Sequence, residues 1–210
     1  MQTFIEREKI ILSYLIGALA DGSLYHNKKS YVYRVTYYQK SKEYHLRCIE
    51  PRIEKLFGKK GHFYCDHRKG VYFYEVTSKK VFSIFKEAIE DFKSKGKRRV
   101  PSWIRNGASE VQNRFIRGFF DADGFYTLYP KISDYRVRFG QSEYFILADI
   151  KEILQPEFKC SEVLGPYQSK KRAKPYWELH LYGKAQVIKF HEKIRPCHPQ
   201  KHNLSFQNHN

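Results

Sequence analysis

The sequence predicts an α+β fold of two pseudo-symmetric αββαββα halves with antiparallel sheets, and three observations carry that prediction. A helical ending, Leu15-Ile16-Gly17-Ala18-Leu19-Ala20-Asp21-Gly22, is echoed by Ile116-Arg117-Gly118-Phe119-Phe120-Asp121-Ala122-Asp123-Gly124. The echo keeps a constant spacing of 102 residues, from Asp21 to Asp123, through Tyr33-Arg34-Val35 against Tyr135-Arg136-Val137 and Gln39 against Gln141. After each echo, β-rich aromatic runs and longer apolar-periodic stretches alternate in the same order. One structural unit is therefore written twice. The register later drifts by a residue or two, with Glu43-Tyr44 matching Glu143-Tyr144 and Tyr74-Glu75-Val76 matching Trp177-Glu178-Leu179, as insertions in surface turns produce.

Each half opens with a helix whose start carries a capping-box pattern, Thr3-x-x-Glu6 in the first and Ser109-x-x-Gln112 in the second. Both helices stop at Asp-Gly, where glycine lets the chain turn out of the helix. Strands are expected at 23–25 and 31–39, separated by the polar turn His26-Asn27-Lys28-Lys29-Ser30. A helix follows at 44–56, weakened by Pro51, which removes an intrahelical bond. Strands at 62–64 and 71–77 and a helix at 78–92 complete the first half. The second half repeats the order, with strands at 125–129 and 135–141, a helix at 144–154, strands at 163–168 and 176–181, and a helix at 184–194. Residues 1–92 and 109–195 are thus the two halves. Residues 93–108 form a basic, Gly- and Pro-containing linker, and the polar, His- and Asn-rich residues 196–210 a tail expected to fray.

Composition narrows the partner. A hydrophobic content of 41% fills a core, while a formal charge of +17 and a pI near 9.6 favour a polyanion. An anionic membrane surface is the rival, but the longest apolar run, residues 10–20, is too short to span a bilayer, and the N-terminus lacks a secretory pattern. The expectation is an intracellular protein with no membrane partner. Cys48, Cys65, Cys160 and Cys197 show no Cys-x-x-Cys pairing, so neither a disulfide framework nor structural zinc is expected. His62, Cys65 and His67 lack a fourth ligand and read as an ordinary strand and turn.

The helices ending at Asp21 and Asp123 carry Gly17, Ala18, Ala20, Gly118 and Ala122, small enough for two backbones to approach closely. Packing them together places the motif helices at the interface of the halves and gathers two carboxylates at one site. Like charges that close resist joint ionisation unless a cation lies between them, which invites a hard, oxygen-seeking ion such as Mg²⁺. An Asp-Gly pair alone is commonly just a helix stop, but two in register after small-residue helices point to function. The motif steps differ: Gly17 to Asp21 is four residues and Gly118 to Asp123 five, a difference of about 100° on a helix. The reading that follows keeps the aspartates equivalent and lets Ile16, in place of Gly17, face Gly118.

These residues resemble the LAGLIDADG homing endonucleases in their single-chain, two-motif form; Gly118-Phe119-Phe120-Asp121-Ala122-Asp123-Gly124 is a close match, and Tyr33-Arg34-Val35 leading to Gln39-Lys40-Ser41 extends it. The resemblance implies sheets shaped into a DNA-binding saddle. It implies that Asp21 and Asp123 bind divalent metals, two or three Mg²⁺ ions shared between them, with the carbonyls of Ala20 and Ala122 as supplementary ligands. Asp121 becomes secondary, capping or facing solvent. Gln39 and Gln141 stand at strand ends where the family places polar residues that order water near the metals. Lys80 and Lys184 open the helices after the fourth strands and are candidates for positive charge near the phosphate, though a solvated lysine is the commoner case. Base reading falls to Arg34, Thr36 and Tyr38 in one half and Arg136 and Arg138 in the other, and phosphate contact to the basic tips Arg68-Lys69 and Lys170-Lys171-Arg172 with Lys174. The expected activity is metal-dependent cleavage of a long, asymmetric site in double-stranded DNA by a monomer. The alternative within the family is an intron-RNA-binding splicing cofactor. A DNA-binding regulator without chemistry is disfavoured by the presence of both aspartates.

Overall fold

The computed structural model describes residues 4–93, 97–129, 132–168 and 175–202, and they form the two expected halves. The first contains α1 (Glu6–Ala18), a 3₁₀ turn (Leu19–Asp21), β1 (Gly22–Asn27), β2 (Val32–Gln39), α2 (Lys42–Tyr44), a π-helical turn (His45–Ile49), α3 (Glu50–Phe57), β3 (His62–Asp66), β4 (Val71–Thr77) and α4 (Lys79–Ala88). The second contains α6 (Ser109–Asp123), β5 (Gly124–Tyr129), β6 (Asp134–Gln141), α7 (Tyr144–Leu154), β7 (Leu164–Tyr167), β8 (Tyr176–Tyr182) and α8 (Lys184–Ile194). Each half holds an antiparallel four-stranded sheet, ordered β1-β2-β4-β3 and β5-β6-β8-β7.

The pleat explains how each sheet serves two layers. In β2, Val35 and Tyr37 are buried toward the helices, and Arg34 and Tyr38 project from the other face. In β6, Val137 and Phe139 do the same between Arg136, Arg138 and Gly140. Helix α1 is buried from Leu12 to Leu19, and α6 buries Val111, Phe115, Ile116, Phe119 and Phe120, so the seam between the halves is also the centre of the core.

Two helix starts differ from the sequence reading by a short shift. The chain enters α1 at Ile5, whose N–H donates to the Glu8 carboxylate at 3.0 Å, so Glu8 closes the turn in place of Glu6; Thr3 lies outside the described residues. In α6, Ser109 is the first helical residue, Ala108 precedes it, and Gln112 donates to the Arg105 carbonyl at 2.7 Å. Pro51 is accommodated because the preceding turn is π-helical, opening the spacing where proline offers no N–H.

Residues 97–108 of the linker are docked on the second half. Asp149 of α7 is fully buried and accepts from Arg99 at 2.6 and 2.8 Å, from Arg105 at 3.2 Å and from the Val100 N–H at 2.8 Å, while Ser102–Arg105 forms a short helix, α5. The tail is likewise ordered as far as described. Residues 196–202 return to the seam and end in α9 (Pro199–His202).

Two imidazoles are buried, His45 in the π-helical turn and His198 in the tail, with a consequence for pH. Burial pushes His45 down to about 4, against a hydrogen bond to the Tyr72 carbonyl, and burial together with the Lys201 ammonium pushes His198 down to about 4, opposed by Asp121. An unfolded histidine titrates near 6.5, so below that pH the unfolded chain takes up protons that the folded one refuses. Stability is expected to be whole above pH 6.5 and to fall until about pH 4, by roughly 3 kcal/mol for each histidine. Denaturation at pH 7, 5.5 and 4 checks this; a flat profile for His45→Gln/His198→Gln and a sloping one for the parent is the expected contrast.

Candidate active site at the paired helix ends

The seam works because each motif glycine faces the other helix's backbone. A Cβ on Gly17 would lie 2.3 Å from the Phe115 carbonyl oxygen, 2.7 Å from the Phe119 nitrogen and 3.2 Å from the Gly118 carbonyl carbon. One on Gly118 would lie 2.1 Å from the Tyr14 oxygen and 3.0 Å from the Ala18 nitrogen. Gly17, not Ile16, therefore meets Gly118, and the packing residue assigned from the motif spacing is corrected. The step mismatch is absorbed by the helix ends. Helix α6 stays α-helical to Asp123, whereas the first motif tightens into the 3₁₀ turn Leu19–Asp21. One α step plus three 3₁₀ steps rise about 7.5 Å, equal to five α steps, and rotate only about 40° less. Four residues thus carry Asp21 as far from Gly17 as five carry Asp123 from Gly118.

Around these ends the first half reaches across to the second. Gln39, at the end of β2, donates its amide to the Ala122 carbonyl of the opposite motif at 3.5 Å, and Gln141, at the end of β6, donates to the Asp123 carboxylate. Asp21, Asp123 and Ala20 are half-buried and Ala122 is buried, so both carboxylate-bearing residues keep contact with solvent. The donors gathered here are carboxylate and carbonyl oxygens, the set that suits Mg²⁺ or another hard divalent ion.

Three further residues shape this centre, and sequence reasoning missed the role of each. Arg98 of the linker donates to Gln141 Oε1 at 3.0 Å and to the Phe92 carbonyl at 3.0 Å, with its guanidinium 5.1 Å from the Phe92 ring centroid. Burial lowers its pKa and the charges of Asp123 and Glu143 oppose that. Asp121, expected to cap or face solvent, is fully buried: it accepts from Tyr14 Oη at 2.8 Å, from the backbone N–H of Cys197 and of His198 at 3.1 Å, and from Cys197 Sγ at 3.1 Å. Lys201 of α9 donates to the carbonyls of Phe120 at 2.8 Å and Asp121 at 2.7 Å, the exposed end of α6's hydrogen-bond ladder. Burial lowers Lys201 to about 8, and the carboxylates of Asp121, Asp123 and Asp21 hold it up. Only the basic run in the linker hinted at Arg98; nothing local to residues 121 or 201 signals their pairing across the seam.

Cys48, Asp121 and Cys197 place ligand-type atoms within 4.8 Å of one another. The Asp121 oxygens are already occupied by the donors above, and the Arg52 guanidinium lies 4.0 Å from the Tyr14 ring centroid beside them, so this cluster is a seat for the tail. All four cysteines are free thiols. His62 and Cys65, three residues apart on β3, fall on opposite faces and do not converge on a metal.

The remaining predicted residues divide by place. Lys80 and Lys184 are exposed at the starts of α4 and α8. Thr77 pairs with Arg34 and Tyr182 with Arg136, while Gln39 and Gln141 pair with Tyr72 and Trp177. Five strand residues, about 17 Å, therefore separate the two lysines' ends of the sheets from the acidic centre, and the structure does not bring them to it. Arg34, Arg136 and Arg138 line the open sheet faces, each held by an acid: Arg34 by Glu75 at 3.3 Å, Arg136 by Asp134 at 2.5 Å, and Arg138 by both Glu178 oxygens at 2.6 and 2.7 Å. Glu178 also pairs with His180 at 2.9 Å. Tyr38 hydrogen-bonds Ser23 and packs edge-on against Phe73, and Thr36 is buried between neighbours on that face, which leaves it less available than predicted. Arg68 and Lys69 are exposed at the β3–β4 turn, near Asp66. Lys170, Lys171, Arg172 and Lys174 lie outside the described residues.

Comparison with known proteins agrees with this architecture. Residues 110–195 match the family model described as a LAGLIDADG-like domain. The homing endonuclease I-ApeI of Aeropyrum pernix is 28% identical over 196 residues, covering 90% of this chain and 83% of that protein. Among solved structures, I-DmoI in complex with DNA and Ca superposes with a TM-score of 0.66 at 22% identity, covering 93% of this chain and 97% of that one. I-DmoI with DNA and Mn gives 0.65 at 20%, covering 89% and 97%. The N-terminal LAGLIDADG domain of DUF199/WhiA gives 0.52 at 16%, covering 91% and 85%. Residues 110–195 match that domain, and the same helix, acidic end and four-stranded sheet are repeated ahead of them, so the chain is similar to the LAGLIDADG proteins, with two motifs in a single chain.

Proposed function

We propose that the chain is a monomeric, site-specific DNA endonuclease that makes a double-strand break by metal-dependent phosphodiester hydrolysis. The observation that carries this reading is the contact across the seam at the helix ends, where Gln39 of the first half reaches the Ala122 carbonyl of the second, next to the Asp123 carboxylate that Gln141 holds. The endonuclease names and DNA complexes of the relatives support it. The two halves differ in sequence, which suits an asymmetric target, whereas a homodimer of identical halves would require a palindrome.

Divalent ions, when bound, activate a water and neutralise the leaving oxygen. The chain's own residues do the rest. Asp21 and Asp123, with the carbonyls of Ala20 and Ala122, form the binding set between the two scissile strands. Gln141 orients the Asp123 carboxylate, Arg98 orients Gln141, and Gln39 fixes the Ala122 carbonyl from the opposite sheet. Arg34, Arg136 and Arg138, already oriented by Glu75, Asp134 and Glu178, present guanidinium forks to base edges, and exposed lysines and Arg68 take phosphates.

The test is selection of cleaved molecules from a randomised duplex library with Mg²⁺. Recovery of one long, non-palindromic site is the expected result; binding of folded intron RNA without any DNA cleavage would favour the splicing-cofactor reading instead. Arg98→Ala is expected to slow cleavage by about 10- to 100-fold, the usual range for residues that orient metal ligands, with target affinity in Ca²⁺ unchanged. A rate within twofold of the parent would show that Gln141 does not depend on it.

A further inference from the structure

We infer that Lys201, delivered by the returning tail, is a positioning residue for the acidic centre: its ammonium is the resident counter-charge of Asp21 and Asp123, and divalent ions bind against it. The inference rests on reading those aspartates as the cation site. Its geometric basis is independent of any ion. The Lys201 side chain is half-buried, and its two hydrogen bonds go to the neutral carbonyls of Phe120 and Asp121, which cannot balance a charge. Burying an ammonium is costly unless opposite charge lies near it. Asp121, Asp123 and Asp21 are the carboxylates that act on it, and Asp121 is already committed to Tyr14, Cys197 and His198.

Two carboxylates gathered at one seam repel, and a cation between them is what lets both ionise. Before any divalent ion arrives, Lys201 is a built-in cation at α6's end, bonded to the Phe120 and Asp121 carbonyls, and the tail that carries it is itself seated through the Cys197 and His198 N–H groups on Asp121. Tail docking and the electrostatics of the acidic pair are thereby one device. A divalent ion entering the pair meets a fixed positive charge, so the lysine keeps the pair in place while raising the ion concentration the site needs.

The experiment is Mn²⁺ binding to the full-length, DNA-free protein, followed by electron paramagnetic resonance, for the parent, Lys201→Gln, Lys201→Met and Lys201→Arg. Glutamine keeps a donor for the α6 carbonyls without the charge, and arginine keeps the charge. The expected result is Mn²⁺ affinity about fivefold tighter for the Gln and Met variants and within twofold of the parent for Arg. A purely structural lysine predicts the opposite, weaker binding in Met with recovery in Gln, and that result overturns the inference, as does unchanged affinity in Gln. Should Lys201→Met fail to fold, the Gln and Arg pair decides. Failure of the underlying reading looks different: Mn²⁺ binding that persists in Asp21→Asn and Asp123→Asn, or is absent from the parent, removes the cation site itself and the inference with it.

Discussion

Gly118→Ala is expected to destabilise the protein by about 3 kcal/mol or more, lowering the melting temperature by about 10 °C. A Cβ at this position would lie 2.1 Å from the Tyr14 carbonyl oxygen and 3.0 Å from the Ala18 nitrogen, and both neighbours are backbone, so no side chain can swing aside. The helices must separate, and separation unpacks Tyr14, Leu15, Phe115 and Phe119 from the middle of the core. Gly17→Ala, whose Cβ would meet the Phe115 oxygen at 2.3 Å, should behave alike. Because both changes open the same contact, their effects should not add. Thermal or urea denaturation reads this directly; an alanine variant melting within about 2 °C of the parent would mean that the close crossing of α1 and α6 is not what joins the halves.

Asp123→Asn and Asp21→Asn are each expected to reduce cleavage by at least about 1,000-fold, beyond the 10- to 100-fold typical of residues that only orient a ligand. Asparagine keeps the shape and a carbonyl oxygen but removes the charge that attracts a divalent ion. Target binding should survive, since the recognising arginines lie out on the sheet faces, and the loss should appear in the rate at saturating DNA and not in affinity. Electrophoretic assay of a supercoiled plasmid carrying the selected site, with binding measured in Ca²⁺, checks both. A variant that cleaves within tenfold of the parent would remove that aspartate from the chemistry.

Much of the fold was legible because it was written twice. The 102-residue spacing aligned Asp21 with Asp123 and Gln39 with Gln141, and the strands at 71–77 and the helices at 144–154 and 184–194 have the bounds that their apolar periodicity implied. Local patterns fared less well where a competing interaction decides. A uniform α-helical spacing puts Ile16 opposite Gly118, whereas the chain absorbs the one-residue mismatch in a 3₁₀ turn that no composition announces and keeps Gly17 there. Lys80 and Lys184 were placed near the site by analogy of element order, but strand register puts them at the other end of each sheet. The tail illustrates the general reason. Residues 196–202 are polar, and polar sequence reads as frayed until a buried acceptor such as Asp121, distant in sequence, supplies partners for its N–H groups. Asp149 does the same for the linker through Arg99, Arg105 and Val100. Such long-range polar pairings carry no periodicity, so they surface only in three dimensions.

Anomalous X-ray scattering from crystals grown with Mn²⁺ and the selected duplex tests the central claim most directly. Manganese is expected between the ends of α1 and α6, bonded to carboxylate oxygens of both Asp21 and Asp123. Manganese found only elsewhere, or the two carboxylates separated onto surfaces that share no ion and no DNA strand, would contradict it.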